Sequence, residues 1–277
     1  MTTTPTIHVH ASAEGGIFAN AYLIETERGV VAVDATLTVS ESRAFRARLD
    51  ALGKPLLAAL VTHAHPDHVA GLANLVGSSG APVLATAAVA QLIRESEEPK
   101  RAQWGALFGD EWVPTWTYPN HLVQDREEVT FDGVAYRVHE LGAGGDCDAN
   151  ALWVMASEPR AAFVGDLAFS GTHSYLADGH ILAWLANLER VRPILAGVST
   201  LYPGHGAPGS LALLEAQRDY LLTYCGAVRD VAEGGRPLGE RAKQELTARM
   251  ERYLPAAPLT FMIALSADAV ADEIFGS

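Results

Sequence analysis

The chain is poor in cysteine, with two in 277 residues, Cys147 and Cys225. That is too few for a disulfide framework and fits a reducing compartment, a single bridge being left open. No apolar run approaches the roughly 20 residues that a membrane span requires. The opening stretch "MTTTPTIHVHASAEGG" has neither the basic segment nor the apolar core of an export signal, so a cytoplasmic protein is expected. Basic charge is scarce too: 20 Lys and Arg stand against 33 Asp and Glu. That balance offers no broad cationic surface for a phosphate backbone or an anionic lipid. Nucleic acid and membrane are therefore disfavoured as partners, and a small-molecule substrate is expected.

What is present is enough apolar residue for a sizeable core, 49% against 19% charged. "NAYLIET" (20 to 26) and "GVVAVDAT" (29 to 36) read as strands. "SESRAFRARLDALG" (40 to 53) reads as a helix with a Ser cap. The unbroken apolar run "LLAALVT" (56 to 62) has the pattern of a strand buried on both faces. A helix at "HVAGLANLV", a strand at 81 to 86 and a helix at 87 to 98, ending near Pro99, follow. Residues 100 to 125, rich in Trp, Pro and Gly, read as a long functional loop or lid, or as aromatic core plugs. The second half repeats the plan, with strands at "EVTFDG", "VAYRVHEL", "NALWVMAS", "RAAFVGD" and "STLYPGH" and a helix at 181 to 191. Two strand-rich halves with their own helices predict an α/β protein of two packed sheets with helices outside. A single domain spans 1 to 277, its core about 16 to 209. The extension from about 210 to 277 is mostly helical, at 210 to 233 and 239 to 254. It packs on one edge or forms a partner surface, possible for a homo-oligomer.

The chemistry is concentrated in "VTHAHPDHVAGL", Val61 to Leu72. His63 and His65 lie two apart where the buried strand ends, so an extended backbone projects both to one face. Pro66 suits the first turn of a helix, which sets Asp67 and His68 at its N-terminal end beside the carboxyl edge of the sheet. Four ligand-type side chains at such spacing point to a metal.

This stretch resembles the HxHxDH signature of the metallo-β-lactamase superfamily. Further parts resemble that family in the expected order from about Asn20 to Gly206: "GVVAVDAT" ending its strand on Asp34, "FVGDLAF" with Asp166, and "LYPGHG" with His205. The resemblance implies the αββα four-layer sandwich of two mixed sheets. It implies that His63 and His65 hold a first metal and that Asp67, His68 and His205 hold a second. Asp166 would bridge the two and Asp34 would support them from behind. Such donors suit Zn2+, one or two ions, with iron or manganese possible. The implied activity is a metal-dependent hydrolase using metal-bound hydroxide on a small-molecule ester, thioester, lactone or amide-type bond, with Asp67 as the catalytic carboxylate that orients the water and handles its proton.

The match breaks at one point. The family supplies a third histidine to the first metal, and here that position aligns with Gly145 in "ELGAGGDCDANALWV". Asp146 is the preferred replacement, because a carboxylate is ionised at neutral pH; Cys147 and His139 are the other candidates, and Asp146 as a mere turn cap is the alternative. With no replacement, a single ion is expected. His173 is a candidate substrate contact or accessory ligand in the loop after Asp166, and His180 a weaker one. His8 and His10 are expected on the exposed face of a strand. Two other outcomes stay open: a mononuclear iron dioxygenase using two histidines and a carboxylate, and a non-catalytic relative that binds metal or ligand.

Overall fold

The computed structural model describes residues 4–232 and 237–276. One six-stranded sheet runs in the order β1 (Thr6–Ala11), β2 (Asn20–Glu25), β3 (Val30–Val33), β4 (Leu56–Leu60), β5 (Val83–Thr86), β6 (His121–Val123). The first three strands pair antiparallel and the rest parallel. A five-stranded sheet comprises β7 (Glu128–Phe131), β8 (Val134–Gly142), β9 (Asn150–Met155), β10 (Ala161–Ser170) and β11 (Thr200–Gly206), in the reverse of that order from its edge at β11. It is antiparallel except for the β10/β11 pair. Both sheets are therefore mixed.

The strands face each other across one apolar layer in which Tyr22, Ile24, Val33 and Leu60 of the first sheet meet Tyr136, Trp153 and Phe163 of the second. Alternate residues face outward and are covered by helices. Over the first sheet lie α1 (Val39–Ala51), the short α2 (Pro66–Val69) and α3 (Leu72–Val76), and α4 (Ala87–Phe108). Over the second lie α5 (Ile181–Val191), α6 (Ala212–Val231), α7 (Glu240–Tyr253) and α8 (Phe261–Gly276). The result is the four-layer αββα sandwich, with strands buried on both faces reading as continuous apolar runs because helices cover what would otherwise be wet.

Several boundaries differ from the sequence reading. The cap of α1 is the Thr38 hydroxyl, which accepts from the Glu41 amide at 3.2 Å, two residues before the expected Ser40. Helix α4 does not stop near Pro99 but runs on to Phe108 with Pro99 inside it. Trp104 and Phe108 pack on the core there, and this burial outweighs the hydrogen bond that proline removes. The expected lid thus begins as helix, and Trp112 and Trp116 beyond it are buried plugs, 7% and 3% exposed. His10 is buried, not exposed, against the Phe45 ring with Glu41 at 3.0 Å. The last helices form no detached extension. Helix α6 lies on β10, and α8 reaches back so that the Glu273 carboxylate accepts the Ile181 and Leu182 amides at 2.8 and 2.9 Å, capping α5. The expected helical position Glu233 falls outside the described residues.

Candidate metal centre

The site forms where the carboxyl ends of the strands of both sheets converge. Beyond β4 the chain continues extended through His63 and His65, then turns into α2 at Pro66, as the proline suits. The Ala151 amide donates to the Thr62 carbonyl at 2.7 Å, tying this segment to β9 of the other sheet. Strand β10 breaks register at Gly165 and delivers Asp166. Strand β11 delivers His205, whose ring stacks on Phe169 with centroids 5.1 Å apart and planes 4° from parallel. The Asn20 side-chain amide donates to the Pro203 and Gly206 carbonyls at 3.0 and 2.7 Å, and the Tyr22 hydroxyl to the Pro203 carbonyl, so strand β2 clamps the turn that carries His205.

Besides the cluster of Asp34, His63 and His68, two sets of donors result. His63, His65 and Asp146 bring ligand atoms within 4.8 Å of one another, and so do Asp67, His68, Asp166 and His205. Asp166 lies between the sets: its Oδ2 is 3.9 Å from His63 Nε2 and 3.4 Å from His205 Nε2, and its Oδ1 is 3.5 Å from His68 Nε2. All seven side chains are buried. Five of their atoms, His63 Nε2, His68 Nε2, Asp146 Oδ1, Asp166 Oδ1 and His205 Nδ1, have no hydrogen-bond partner. Orphaned buried polar atoms cost about 1–3 kcal/mol each, and the first four converge on common space. Imidazole nitrogens and carboxylate oxygens left unsatisfied together fit divalent-cation binding.

The surrounding contacts orient the rings. Asp34, at the end of β3, accepts from the Thr62 amide at 2.8 Å, the Thr62 hydroxyl at 2.7 Å and His68 Nδ1 at 3.0 Å. Thr62 Oγ1 in turn accepts from His63 Nδ1 at 2.9 Å. One carboxylate thereby sets the tautomer of two histidines, leaving both Nε2 lone pairs for a cation. His65 is held at both nitrogens, Nδ1 2.8 Å from Asp146 Oδ2 and Nε2 3.0 Å from Asp178 Oδ2. Asp178 also accepts from the Tyr175 hydroxyl at 2.7 Å and has Lys100 Nζ at 3.5 Å.

The charge pattern is that of a site built for cations. Burial lowers the proton affinity of His65, but the charge and hydrogen bond of Asp146, with the hydrogen bond of Asp178, outweigh it and raise the pKa to about 10. His205 is likewise raised to about 9, burial being overcome by Asp166 and Asp67. Burial raises the Asp67 carboxyl, yet His68 and His205 beside it bring it well below the usual carboxylate range. Protons on these rings occupy positions that a metal ion would take.

A Cβ at Gly145, the position aligned with the absent histidine, would stand 2.8 Å from Oδ1 of Asn150, whose amide donates to the Gly142 and Cys147 carbonyls. Asp146, one residue on, stands beside His63 and His65, its Oδ1 3.6 Å from His63 Nε2. Cys147 points elsewhere: its thiol donates to the Ala149 carbonyl at 3.2 Å, and burial pushes its pKa well up. His139 on β8 joins neither set, nor does His180, which pairs with Asp148. His173 is a correction. It is fully buried with Nδ1 3.1 Å from the Tyr220 hydroxyl, packed away from the site by α6, and so is not placed to touch substrate. Tyr175 and Asp178 of the same loop reach the site instead. Asp178 was not singled out for that role, because nothing in local spacing tells which side chain of a loop turns inward.

These donors form the floor of a cavity of about 690 Å3, where His65, Asp67, Asp146, Asp166 and His205 are exposed to it. The family model described as the Metallo-beta-lactamase superfamily matches residues 15–205. The chain belongs to this superfamily.

Solved members bear out the fold. A metallo-β-lactamase from Pontibacter korlensis is 18% identical with a TM-score of 0.63, covering 80% of this chain and 98% of that one. A metallo-β-lactamase from Hirschia baltica is 18% identical with a TM-score of 0.57, covering 78% and 91%. At that identity the likeness speaks for the fold alone. Among curated proteins, the uncharacterized protein YobT of Bacillus subtilis (strain 168) is 46% identical over 56 residues, 20% of this chain. The match spans about a quarter of that relative's length, 24%. Superfamily membership and the His/Asp sets together fit a metal-dependent hydrolase in general. Among the described residues no helix is long and apolar enough to cross a membrane.

Proposed function

We propose that the protein hydrolyses an ester, thioester, lactone or amide-type bond of a small molecule, using two divalent ions, zinc in the first instance. The supporting observation is the pair of buried donor sets at the floor of an open cavity, Asp166 of one set lying 3.9 Å from His63 of the other. His63, His65 and Asp146 would hold one ion and Asp67, His68 and His205 the other. Ions held there lower the pKa of a bound water to about 7 and polarise a carbonyl oxygen. The chain's own residues do the rest. Asp67 stays ionised beside His68 and His205. Both imidazoles reach its Oδ2, at 3.3 and 3.1 Å, so Oδ1 is the atom that takes the proton of the attacking water and passes it to the leaving group. The Asp34 and Asp178 carboxylates keep the rings of His63, His68 and His65 aimed, and the apolar cavity wall limits water around the reacting bond.

The test is a panel of chromogenic esters, thioesters and lactones assayed with the zinc-loaded protein and with Asp67→Ala. Turnover falling about 10²–10⁴-fold in the variant, which still unfolds in one cooperative transition, is the expected result. Turnover that survives the substitution removes Asp67 from the mechanism. A panel that is not turned over by any metal form removes the hydrolase reading.

One observation favours a second reading. His63, His65 and Asp146 alone make a two-histidine, one-carboxylate set, the composition used by mononuclear iron oxygenases. Under that reading the purified protein holds one iron per chain and consumes oxygen with its substrate. The second set, equally buried and with three unsatisfied atoms of its own, has no task in that scheme, which is why hydrolysis is preferred.

A further inference from the structure

The cavity over the metal centre has walls that the metals do not require. Trp104, Leu107 and Phe108 of the last turns of α4 line it, and so do Phe261, Met262 and Leu265 at the start of α8. Helix α8 lies outside the region shared with the superfamily. Leu107 is 72%, Phe261 50% and Leu265 38% exposed, although residues of this size are normally drawn into the core. Large apolar side chains left wet on both sides of one opening mark a place where something apolar binds.

The charges on the same walls narrow what that is. Among the described residues Lys100 is the single Lys or Arg lining the cavity, and its ammonium lies 3.5 Å from Asp178 and over the Tyr175 ring. Glu14, Glu41 and Glu111 line the cavity as well. Glu41 accepts the Ala13 amide and Glu111 the Ser40 amide, both at 2.9 Å, so these carboxylates are fixed in place. A negatively charged tail would meet three carboxylates and a cation already neutralised.

We infer that the cleft between α4 and α8 binds an uncharged alkyl or aryl tail, so that the substrate is a lipophilic acyl compound whose scissile carbonyl lies over the metals. This rests on the hydrolase reading for the carbonyl end, but the tail site stands on the cavity walls alone. Displacement of the fluorescent probe N-phenyl-naphthylamine from the metal-loaded protein by butanol, hexanol and octanol reads the tail site without any turnover. Affinity should rise about fourfold per added methylene, the gain expected for each buried CH2. The double variant Leu107→Asp/Phe261→Asp should flatten that slope. Both positions are at least half exposed, so its melting curve should match the wild type; Leu107→Ala serves as a milder variant should it not. A carboxylate at the far end of the chain, as in hydroxyhexanoate against hexanol, should weaken binding at least tenfold.

Equal affinity along the alcohol series, an unchanged slope in the folded variants, or carboxylates binding as well as alcohols would each overturn the inference. Turnover of acetyl, butyryl, hexanoyl and octanoyl esters then separates the two claims. A binding slope with no ester cleaved upholds the tail site and removes the hydrolase reading. Esters cleaved with neither a binding slope nor a rate that depends on chain length do the reverse.

Discussion

Asp178 shows how far a single side chain can act from the chemistry. It accepts from His65 Nε2 and thereby leaves Nδ1 as the nitrogen that faces Asp146 and the cation space. Replacing it with leucine should lower metal affinity about 10–100-fold, the usual cost of removing a carboxylate behind a ligating histidine. Asp178→Asn, which still offers an accepting oxygen, should recover part of the loss; competition against a chromophoric chelator measures both. Equal affinity in Asp178→Leu and wild type would show that the contact does not orient the ring. At this scale the sequence was informative where donors are neighbours in the chain. His63, His65, Asp67 and His68 fall within six positions, and the geometry of strand end and helix start follows from that spacing alone. Asp146 could be offered because it is one residue from a known gap. Asp178 could not, since its contact with His65 joins positions 113 apart in the chain, and no local pattern reports such a pairing. Gly204 is a similar case: a Cβ there would stand 1.7 Å from Asp166 Oδ1, a close approach that only the folded backbone reveals.

Elements were legible where periodicity and burial agree and misread where tertiary packing overrode a local rule. The strands on both sides of the motif follow from their apolar runs. Helix α4 was cut short at Pro99 because a proline normally ends a helix, and only the packing of Trp104 and Phe108 shows why this one continues. Strand β1 read as carrying its histidines on an exposed face, yet α1 covers His10. Burial holds the His10 pKa below its ordinary value of about 6.5 despite the hydrogen bond that its ring donates to Glu41. The unfolded chain therefore takes up the proton first as pH falls. Stability from a neutral His10 is full above about pH 6.5 and declines below it towards the lowered folded value. Melting temperature should fall more steeply below about pH 6.5 in the wild type than in His10→Gln, which has no proton to gain; parallel profiles would contradict this. The junction of α5 and α8 offers a second check. Glu273→Ala leaves the Ile181 and Leu182 amides without their acceptor and should cost about 0.5–2 kcal/mol in urea unfolding. A change within a few tenths would mean that water replaces the carboxylate freely.

At the scale of the whole molecule, two sheets supply the two halves of one site. The first sheet brings Asp34 and leads into the His63 to His68 segment; the second brings Asp146, Asp166 and His205, and the inter-sheet core of Tyr22, Trp153 and Phe163 fixes their separation. The doubled plan of the chain made this architecture readable. The closing of α8 over the cavity was not, because which face a C-terminal helix presents depends on where it docks. The central claim is that Asp146 completes the first donor set in place of a histidine. Elemental mass spectrometry on protein purified without chelators or a metal-carrying tag tests it most directly, comparing wild type with Asp146→Ala. The account predicts two divalent ions per wild-type chain and one in the variant, the metal-free variant still unfolding in one cooperative transition. A wild type that holds one ion or none, or a variant that keeps both, would contradict it.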